Sequence, residues 1–364
     1  MKISEITKCL EEFAPLSYQE SYDNSGLIIG NSDIDVSKVL LSLDCTEEIV
    51  DEAIKANANL IISHHPLIFT GIKKLTGKSN SERAIIKAIR NNIAIYAFHT
   101  NLDNVEKGVN HKICEKLGLK NPKILSSQKK LLRKLVTFCP SEKIEDVRKA
   151  IFEAGAGVIG NYDECSYNIE GTGTFRAGEG TNPFVGKKGK RHYEKEIRIE
   201  VIYPIYKEGK ILNALIKSHP YEEVAYDIYP LENEFKSVGS GMLAELEVSQ
   251  NETVFLKKIK SVMKCEVIKH TKLLNRKIKK VAVCGGSGSF LLNEAIRANA
   301  HIFITSDFKY HQFFGAESKI VIADIGHHES EEFTKELIFE IINKKFPKFA
   351  ILFSKVNTNP VIYF

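Results

Sequence analysis

Several features that would place a chain in a special class are absent from this sequence. No hydrophobic run approaches the roughly 18 to 20 residues of a membrane-spanning helix, and the N-terminus lacks the basic, apolar and small-residue order of a secretory signal. The seven cysteines are scattered, and no two form a C-x-x-C pair. We therefore expect buried thiols without a disulfide framework or thiolate zinc site, a cytoplasmic location and no membrane partner.

The chain also lacks a strong excess of either charge. Its formal net charge is +5, from 51 lysine and arginine residues against 46 aspartate and glutamate residues. This balance gives little support for nucleic-acid binding, and the short basic stretch at 187–191 is typical of a solvated loop. The length of 364 residues exceeds what one hydrophobic core usually organises, so we expect two or three domains.

The sequence contains an internal repeat. Residues 52–63 read EAIKANANLIIS and residues 294–305 read EAIRANAHIFIT, with seven of twelve positions identical. In each copy a β-branched run precedes a helical stretch and a second apolar run follows it; a further strand, at 94–98 or 320–323, then leads into a polar motif. Strands that alternate with helices predict an α/β sheet, and ligands of such sheets bind beyond the carboxyl ends of the strands.

The pattern changes between the two copies. Predicted elements follow one another there in the order β-α-β-β-α-β of a ferredoxin-like domain: strands at 131–138, 167–175, 197–203 and 224–229, and helices from an N-cap at Ser141 to about Gly155 and from 208 to 217. The glycine-rich segment 171–190 is predicted to be a long mobile loop. The sequence thus predicts a duplicated α/β core, 1–127 and 237–364, interrupted by an α+β insert at 128–236.

Two adjacent histidines, His64 and His65, come directly after the buried run at 60–62. Pro66 favours an extended backbone at His65, and neighbouring side chains of an extended chain point to opposite faces. Adjacent histidines are therefore better suited to two different metal ions than to one. The alternative is a hydrogen-bonded structural role, which is the commoner one for a lone histidine at the end of a strand.

Each copy also has a histidine followed four residues later by a carboxylate. These pairs are His99 with Asp103 and His327 with Glu331. If each segment opens a helix, the i,i+4 spacing places imidazole and carboxylate on one face. This combination suits zinc, iron or manganese, and a carboxylate can bridge two ions about 3.5 to 4 Å apart. We therefore predict a site for two divalent ions, with zinc favoured over iron or manganese. Its five predicted ligands are His64, His65, Asp103, His327 and Glu331.

Other polar groups near these motifs are candidates for contact with a substrate. His99 is predicted to act in catalysis or to orient a ligand. His311 and Asp307 are predicted to line the pocket as acid, base or substrate contacts, and an absence of any such role explains these two residues equally well. The glycine-rich stretch before the helix predicted near Phe290 can hold a phosphate or carboxylate on its amides, or it can simply permit a tight turn; it comprises Gly285, Gly286, Ser287 and Gly288. The polar turn at 23–26 has the same two interpretations.

Six motifs in the two flanking segments resemble the NIF-three-like family, the GTP cyclohydrolase I type 2 homologues: YDNSGLIIG, ISHHPLIF, HTNLDN, GGSGS, TSDFKYH and DIGHHESE. The resemblance implies a core of two similar α/β halves and dinuclear metal ligands at the five positions given above. It also implies a homohexameric ring whose metal sites open onto an enclosed cavity. The insert, with its SHPYEEVAYDIYPL motif, resembles the CutA and PII-like proteins.

Two functions are consistent with these features. The first is a metal-dependent hydrolase of a nucleotide or another small phosphorylated or heterocyclic substrate, in which two metals activate water and polarise the bond under attack. The second is a non-enzymatic protein for metal binding, metal delivery or regulation, in which the insert senses a small ligand. A ring that binds nucleic acid is a third hypothesis, supported only by the small positive charge and the basic loop.

Overall fold

The structure is a computed structural model that describes all 364 residues. The chain forms two compact units, one from residues 1–127 and 236–364 and the other from residues 128–235. We call them the core and the insert. No helix in either unit combines the length and the apolar character needed to cross a membrane. The fold class is confirmed, because an α/β core is interrupted by an α+β insert.

The helices and strands are numbered in chain order. The strands are β1 (Gly26–Ile29), β2 (Val39–Ser42), β3 (Leu60–Ser63), β4 (Ala94–Ala97), β5 (Lys120–Lys129), β6 (Leu132–Pro140), β7 (Tyr167–Arg176), β8 (Arg191–Pro204), β9 (Tyr226–Leu231), β10 (Glu234–Asn251), β11 (Lys269–His270), β12 (Lys277–Ser287), β13 (Ile302–Ser306), β14 (Val321–Asp324) and β15 (Ile351–Phe353). The α-helices are α1 (Ile3–Phe13), α2 (Glu47–Ala56), α3 (Asn80–Arg90), α4 (Thr100–Asn104), α5 (Val109–Lys116), α6 (Ile144–Glu153), α7 (Glu208–Ser218), α8 (Glu252–Val262), α9 (Leu292–Arg297), α10 (His327–Glu331) and α11 (Thr334–Lys345). Short 3-10 helices span Leu16–Tyr18, Ile205–Lys207, Ser289–Leu291 and Tyr310–Ala316.

The core has two sheets that repeat one arrangement of strands. In the sheet β1-β4-β3-β2-β15, strands β2, β3 and β4 are parallel to one another and β1 is antiparallel to β4. In the sheet β11-β14-β13-β12-β10-β5, strands β12, β13 and β14 are parallel and β11 is antiparallel to β14. Each copy of the repeated sequence therefore contributes three parallel strands and one antiparallel edge strand.

The parallel strands bring the polar motifs together. Strands β2, β3, β4 and β14 consist entirely of buried residues, which is the pattern of parallel strands covered on both faces. Ser63 at the end of β3 pairs with Ala97 at the end of β4. His64, directly after β3, and His99, two residues after the end of β4, therefore emerge at the same edge of the sheet.

The insert is a four-stranded antiparallel sheet in the order β7-β8-β6-β9. Helices α6 and α7 cover one face, where Val147 and Leu215 pack in the same buried cluster as Leu135 and Ile199. This strand order, combined with the chain order β6-α6-β7-β8-α7-β9, is the ferredoxin-like arrangement that the sequence predicted. The insert therefore has a hydrophobic core of its own.

Two local predictions for the insert are wrong. Ser141 does not cap α6, because the N-cap residue is Lys143 and no side chain accepts a capping hydrogen bond there. The segment 171–190 is not a loop throughout, because β7 continues to Arg176. Gly171 and Gly173 belong to the strand, and a Cβ atom at Gly173 would collide with the side chain of Glu196 in β8. Only residues 177–190 connect β7 to β8.

Candidate metal centre

The five predicted ligands come together in the core, beyond the ends of strands from both sheets. The backbone amides of His64 and His65 both donate to the carbonyl oxygen of Leu43, at 3.0 and 2.9 Å. The predicted helices after β4 and β14 are present as α4, which contains Asp103, and α10, which begins at His327 and ends at Glu331. The i,i+4 spacing in α10 therefore places its histidine and its glutamate on one face.

Glu331 lies at the centre of the cluster. Its Oε2 atom is 2.9 Å from Nε2 of His65 and 3.1 Å from Nε2 of His327. Its Oε1 atom is 3.7 Å from Nε2 of His64, and Oδ1 of Asp103 is 3.6 Å from the same nitrogen. The two carboxylate oxygens of Glu331 therefore face two different sets of ligand atoms.

Two members of the cluster are buried without a partner for their polar atoms. The His64 side chain is fully buried and neither of its ring nitrogens makes a hydrogen bond; Oδ1 of Asp103 is also buried and unpaired. Buried polar atoms without partners are uncommon and costly. Imidazole nitrogens and carboxylate oxygens are atoms that first-row divalent cations bind. The group of His64, His65 and Glu331, whose ligand atoms lie within 4.8 Å of one another, is therefore a possible metal site.

Three histidines at this edge are each oriented by a carboxylate that contacts the Nδ1 atom. The pairs are His65 with Asp44 at 2.7 Å, His327 with Asp307 at 2.6 Å, and His99 with Asp23 at 2.6 Å. Such a partner fixes the tautomer and the direction of an imidazole ring, and it raises the basicity of the other nitrogen. In His65 and His327, this other nitrogen is the one that faces Glu331.

The carboxylates raise the pKa of two of the histidines when no metal is bound. Burial opposes the charged form of His65, but the hydrogen bonds to Asp44 and Glu331 outweigh it and raise the pKa to about 9. The same balance at His327, with Asp307 and Glu331 as partners, raises its pKa to about 11. Without metal, both rings are therefore protonated near neutral pH.

The other half of the cluster behaves differently. Burial lowers the pKa of His64. Burial, followed by the neighbouring negative charge of Glu331, raises the pKa of Asp103 to about 8. Burial also opposes ionisation of Glu331, but the charges and hydrogen bonds of the surrounding histidines keep its pKa well below the usual value. Near neutral pH the metal-free cluster therefore has an ionised Glu331 beside a protonated Asp103, and burial favours the neutral form of His64.

His99 lies beside the cluster. Its ring centroid is 5.7 Å from that of His64 and 5.6 Å from that of His65. Asp23, which binds its Nδ1 atom, also accepts hydrogen bonds from the amide and the hydroxyl of Thr100. Burial opposes ionisation of the Asp23 carboxyl group, but the hydrogen bonds from His99 and Thr100 outweigh it and lower the pKa of Asp23 to about 2. Asp23, the first residue of the turn at 23–26, therefore contacts this site through His99.

The structure does not bring His311 to the cluster. This residue is exposed in the 3-10 helix Tyr310–Ala316, where its ring contacts Tyr310 and Phe314, and it makes no hydrogen bond or ion pair with the five ligands. Asp307, four residues earlier in the same motif, is the residue that reaches the site, through His327. A catalytic role for His311 stays a prediction.

The glycine-rich stretch leads from a strand into a helix, as the sequence predicted, but most of it belongs to the strand. Strand β12 continues through Ser287, and Gly288 joins it to the 3-10 helix Ser289–Leu291, which runs into α9. The amides of Gly285 and Gly286 donate to Asn110 and Ser330, at 2.8 and 2.9 Å. These two amides are therefore already paired within the protein, which removes them as donors to an anion.

Gly286 has a different role from the predicted one. Its φ is +61°, and a Cβ atom there would lie 2.3 Å from Oε1 of Glu331. The absent side chain therefore lets the backbone of β12 pass directly beside the central carboxylate. At Gly288 a Cβ atom would meet Thr305 at 2.3 Å. Anion binding at Ser287 and Gly288 stays a prediction.

A cavity of about 460 Å³ adjoins the cluster on the side of His65 and His327. Its walls include the outer carboxylates Asp44 and Asp307 and a stretch near the end of the chain, residues 359–361. A cavity of this size is in the range of small-molecule sites. The ligand atoms of the cluster are therefore next to a space that a substrate could enter.

Comparison with known proteins covers nearly the whole chain. The family model for Duf34/NIF3 (NGG1p interacting factor 3) matches residues 1–360. The GTP cyclohydrolase 1 type 2 homologs of Halalkalibacterium halodurans and Bacillus subtilis are 38% and 35% identical over 363 and 365 residues, which span 98% and 99% of this chain and 98% of each relative.

Solved structures give the same result. The crystal structure of a Bacillus cereus protein related to NIF3 superposes with a TM-score of 0.85 at 37% identity, over 100% of this chain and 99% of that one. Staphylococcus aureus protein SA1388 gives a TM-score of 0.78 at 31% identity with the same coverage. Since sequence and fold agree from one end of the alignment to the other, the chain belongs to the Duf34/NIF3 family.

Proposed function

We propose that this protein is a hydrolase that uses two divalent metal ions to cleave a nucleotide or another small phosphorylated or heterocyclic substrate. The observation that carries the proposal is the position of Glu331: His64 and Asp103 face one of its carboxylate oxygens, and His65 and His327 face the other. His64, Asp103 and one oxygen of Glu331 would hold one ion, and His65, His327 and the other oxygen would hold the second. The names of the relatives, GTP cyclohydrolase 1 type 2 homologs, support a heterocyclic substrate.

Two bound ions, with zinc favoured over iron or manganese, would lower the pKa of a water molecule and polarise the bond under attack. The protein's own residues prepare the site for this chemistry. Asp44 and Asp307 hold the Nδ1 atoms of His65 and His327, which leaves Nε2 of each ring for metal binding.

His99 is the residue that we propose for proton transfer. The low pKa of Asp23 makes its carboxylate an acceptor, so the Nδ1 atom of His99 carries the hydrogen of their 2.6 Å contact. The Nε2 atom is then the site where His99 takes up or delivers a proton. The ring lies beside His64 and His65, within reach of a group that binds at the ligands.

The proposal is tested by turnover. Purified protein loaded with zinc, manganese or iron is screened against nucleotides and phosphoesters, together with a Glu331→Gln variant and a His99→Gln variant. We expect metal-dependent turnover that is lost in Glu331→Gln and reduced by about 100-fold or more in His99→Gln. Two ions bound per chain with no turnover of any substrate would reject the hydrolase in favour of a metal-binding or metal-delivery protein.

The second candidate function is regulation by a ligand of the insert, which we propose to be CutA- or PII-like from its sequence. A cavity of about 620 Å³ lies on the open face of the insert's sheet. Four aromatic side chains line it, Phe138, Phe175, Phe184 and Tyr221; Gly171 lines it as well, and an added Cβ atom there would meet nothing within 4 Å. This size and lining are typical of small-molecule sites.

The insert cavity gives this second function its own test. Gly171 lines the cavity and Gly180 does not, although both are exposed and an added Cβ atom at either meets nothing within 4 Å. Gly171→Leu therefore adds a side chain at the cavity wall, and Gly180→Leu adds the same side chain elsewhere. A panel of nucleotides and aromatic metabolites is screened by thermal shift against both variants. A ligand that stabilises the wild type and Gly180→Leu, but not Gly171→Leu, supports sensing by the insert. Equal stabilisation of all three proteins places the ligand elsewhere.

We also propose that the protein assembles as the homohexameric ring of the family. Three large apolar side chains are 41 to 47% exposed in the connection between β3 and α3: Phe69, Ile72 and Leu75. Exposed apolar groups that are close in the chain favour a protein contact. Sedimentation velocity should give a mass six times that of the 41.0 kDa chain, and a monomer at micromolar concentration would contradict the ring.

A further inference from the structure

A segment near the end of the chain, residues 354–364, runs without regular secondary structure after β15. Its first residues are anchored to α2: the hydroxyl of Ser354 donates to one oxygen of Glu52 at 2.5 Å, and the amide of Lys355 donates to the other at 2.9 Å. These two bonds fix the direction in which the segment leaves the sheet. From there it reaches the candidate metal centre.

Thr358 is the residue of this segment that contacts the metal centre. Its hydroxyl donates to Oδ2 of Asp44 at 2.5 Å, and Oδ1 of Asp44 is 2.7 Å from Nδ1 of His65. The Nε2 atom of His65 is in turn 2.9 Å from Glu331. A continuous chain of hydrogen bonds therefore runs from Thr358 through Asp44 and His65 to Glu331. Its first two residues, Thr358 and Asp44, are 314 positions apart in the sequence.

Asp23 is the other carboxylate that contacts a histidine of the site and also accepts hydrogen bonds from a further residue, and that residue is close in sequence to the histidine. Asp23, the partner of His99, is fixed by the amide and hydroxyl of Thr100, the next residue after that histidine. Asp44 has no such neighbour, and Thr358 is the only donor to its Oδ2 atom. The orientation of the Asp44 carboxylate, and with it that of His65, therefore depends on the distant segment.

We propose that Thr358 is a positioning residue for the half of the metal centre that contains His65 and His327. When a hydroxyl holds one oxygen of Asp44, the carboxylate cannot rotate without losing a hydrogen bond, so the His65 ring keeps its direction. His64 makes no hydrogen bond through either nitrogen, and its half of the centre does not depend on this chain of contacts. The inference rests on the two-metal centre proposed above.

The test uses metal affinity of the full-length protein and does not depend on turnover. Thr358→Val removes the hydroxyl and keeps the β-branched shape, Thr358→Ser keeps the hydroxyl, and Ser354→Ala loosens the segment at Glu52 without a change at Asp44. Metal-free proteins are titrated with zinc against a chromophoric chelator to obtain two successive dissociation constants. Repeating the titration with Asp103→Ala identifies which constant belongs to the His64 half.

We expect Thr358→Val to raise the dissociation constant of one zinc ion, the one held by the His65 half, by about 10 to 100-fold. This is the usual effect of losing a residue that hydrogen-bonds to a metal ligand or orients it. The other constant should stay within about twofold, and Thr358→Ser should restore the wild-type pair. Ser354→Ala keeps the bonds from the amide of Ser354 to Leu41 and from the amide of Lys355 to Glu52, so it should affect the same ion much less than Thr358→Val. If Thr358→Val does not fold, Asp44→Asn interrupts the same chain of contacts and should weaken the same ion.

Each other outcome has a definite meaning. Two unchanged constants in Thr358→Val would overturn the inference and leave the two-metal centre intact. Equal weakening of both ions, or an effect of Ser354→Ala as large as that of Thr358→Val, would show a role in stability alone and would also overturn it. A wild-type protein that binds fewer than two zinc ions would instead contradict the centre itself.

Discussion

At the scale of single residues, the position of Glu331 between two sets of ligand atoms predicts that substituting it affects both metal ions, whereas substituting a residue of one set affects only one. Glu331→Gln keeps the shape but removes the charge that both donor sets face, so we expect the loss of both ions. Asp103→Ala removes an oxygen that faces only His64, so one ion should remain. Metal analysis after gel filtration measures the stoichiometry of each protein.

The neighbouring Glu332 provides the control for this experiment. It pairs with His328 and Lys335 and not with the cluster, so Glu332→Gln should bind metal like the wild type. Retention of two ions by Glu331→Gln would rule out the shared carboxylate. Loss of both ions from Asp103→Ala would show that the two halves are not independent.

The pKa values of the metal-free centre predict the pH dependence of metal binding. His65, with a pKa of about 9, and His327, with a pKa of about 11, hold protons at pH 7, and Asp103 holds one below about pH 8. Ligands must lose these protons to bind metal. Affinity should therefore rise between pH 6 and 8, by about tenfold per pH unit for each proton released.

Calorimetry measures both parts of this prediction. Manganese titrations at pH 6, 7 and 8 give the change in affinity, and titrations in buffers with different heats of ionisation give the number of protons released. A pH-independent affinity, or binding without proton release, would show that the histidines are already neutral in the metal-free protein.

The meeting of the five candidate ligands could be predicted from sequence because each follows a recognisable strand and because the histidine and carboxylate pair occurs twice. The residues that orient them could not be predicted in the same way. Asp44 follows β2 as His64 follows β3, which is a usable signal, but nothing local indicates that its partners are His65 and Thr358. Such contacts depend on the packing of distant segments.

At the scale of elements, strand β12 needs a glycine where its backbone passes the Glu331 carboxylate. Gly286→Ala would place a Cβ atom 2.3 Å from Oε1 of Glu331 on a residue with φ of +61°. We expect a loss of about 1 to 3 kcal/mol in the free energy of unfolding, the usual cost of such backbone strain, together with weaker metal binding because the carboxylate must move. Denaturant unfolding and metal analysis check the two effects.

Gly180→Ala is the matched control, since that glycine is exposed and has nothing within 4 Å of the added carbon. It should change neither stability nor metal content. If Gly286→Ala kept full metal content and stability, the close approach of β12 to Glu331 would not matter for the site.

The elements that sequence reasoning placed correctly are those with a local pattern, such as the buried strands β2, β3 and β4. The continuation of β12 through Gly285 and Gly286 has no local signal, because it depends on pairing with a strand that is distant in sequence. Ser287 of β12 pairs with Ser306 of β13, and the amides of Gly285 and Gly286 donate to the side chains of Asn110 and Ser330. The parallel pairing of β15 with β2, which brings the second copy back to the sheet of the first, also has no local signal.

At the scale of the whole molecule, the boundaries of the insert predict that the core folds without it. Strands β5 and β10 are neighbours in one sheet, and the position of a Cβ atom on Gly239 is only 2.8 Å from Cα of Ser127. The chain therefore leaves and re-enters the core at adjacent points. A short glycine and serine turn that joins Ser127 to Lys236 can replace residues 128–235.

The shortened protein should melt in a single cooperative transition and should bind two metal ions per chain. This follows because the five ligands, the carboxylates Asp44 and Asp307, and Thr358 all belong to the core, and because the insert's buried cluster contains no core residue. Calorimetry and metal analysis measure the two properties, and the separately expressed insert should also melt cooperatively. A broad transition of the shortened core with intact metal binding would assign the insert a stabilising role, whereas loss of the metal would mean that the centre needs residues outside the core.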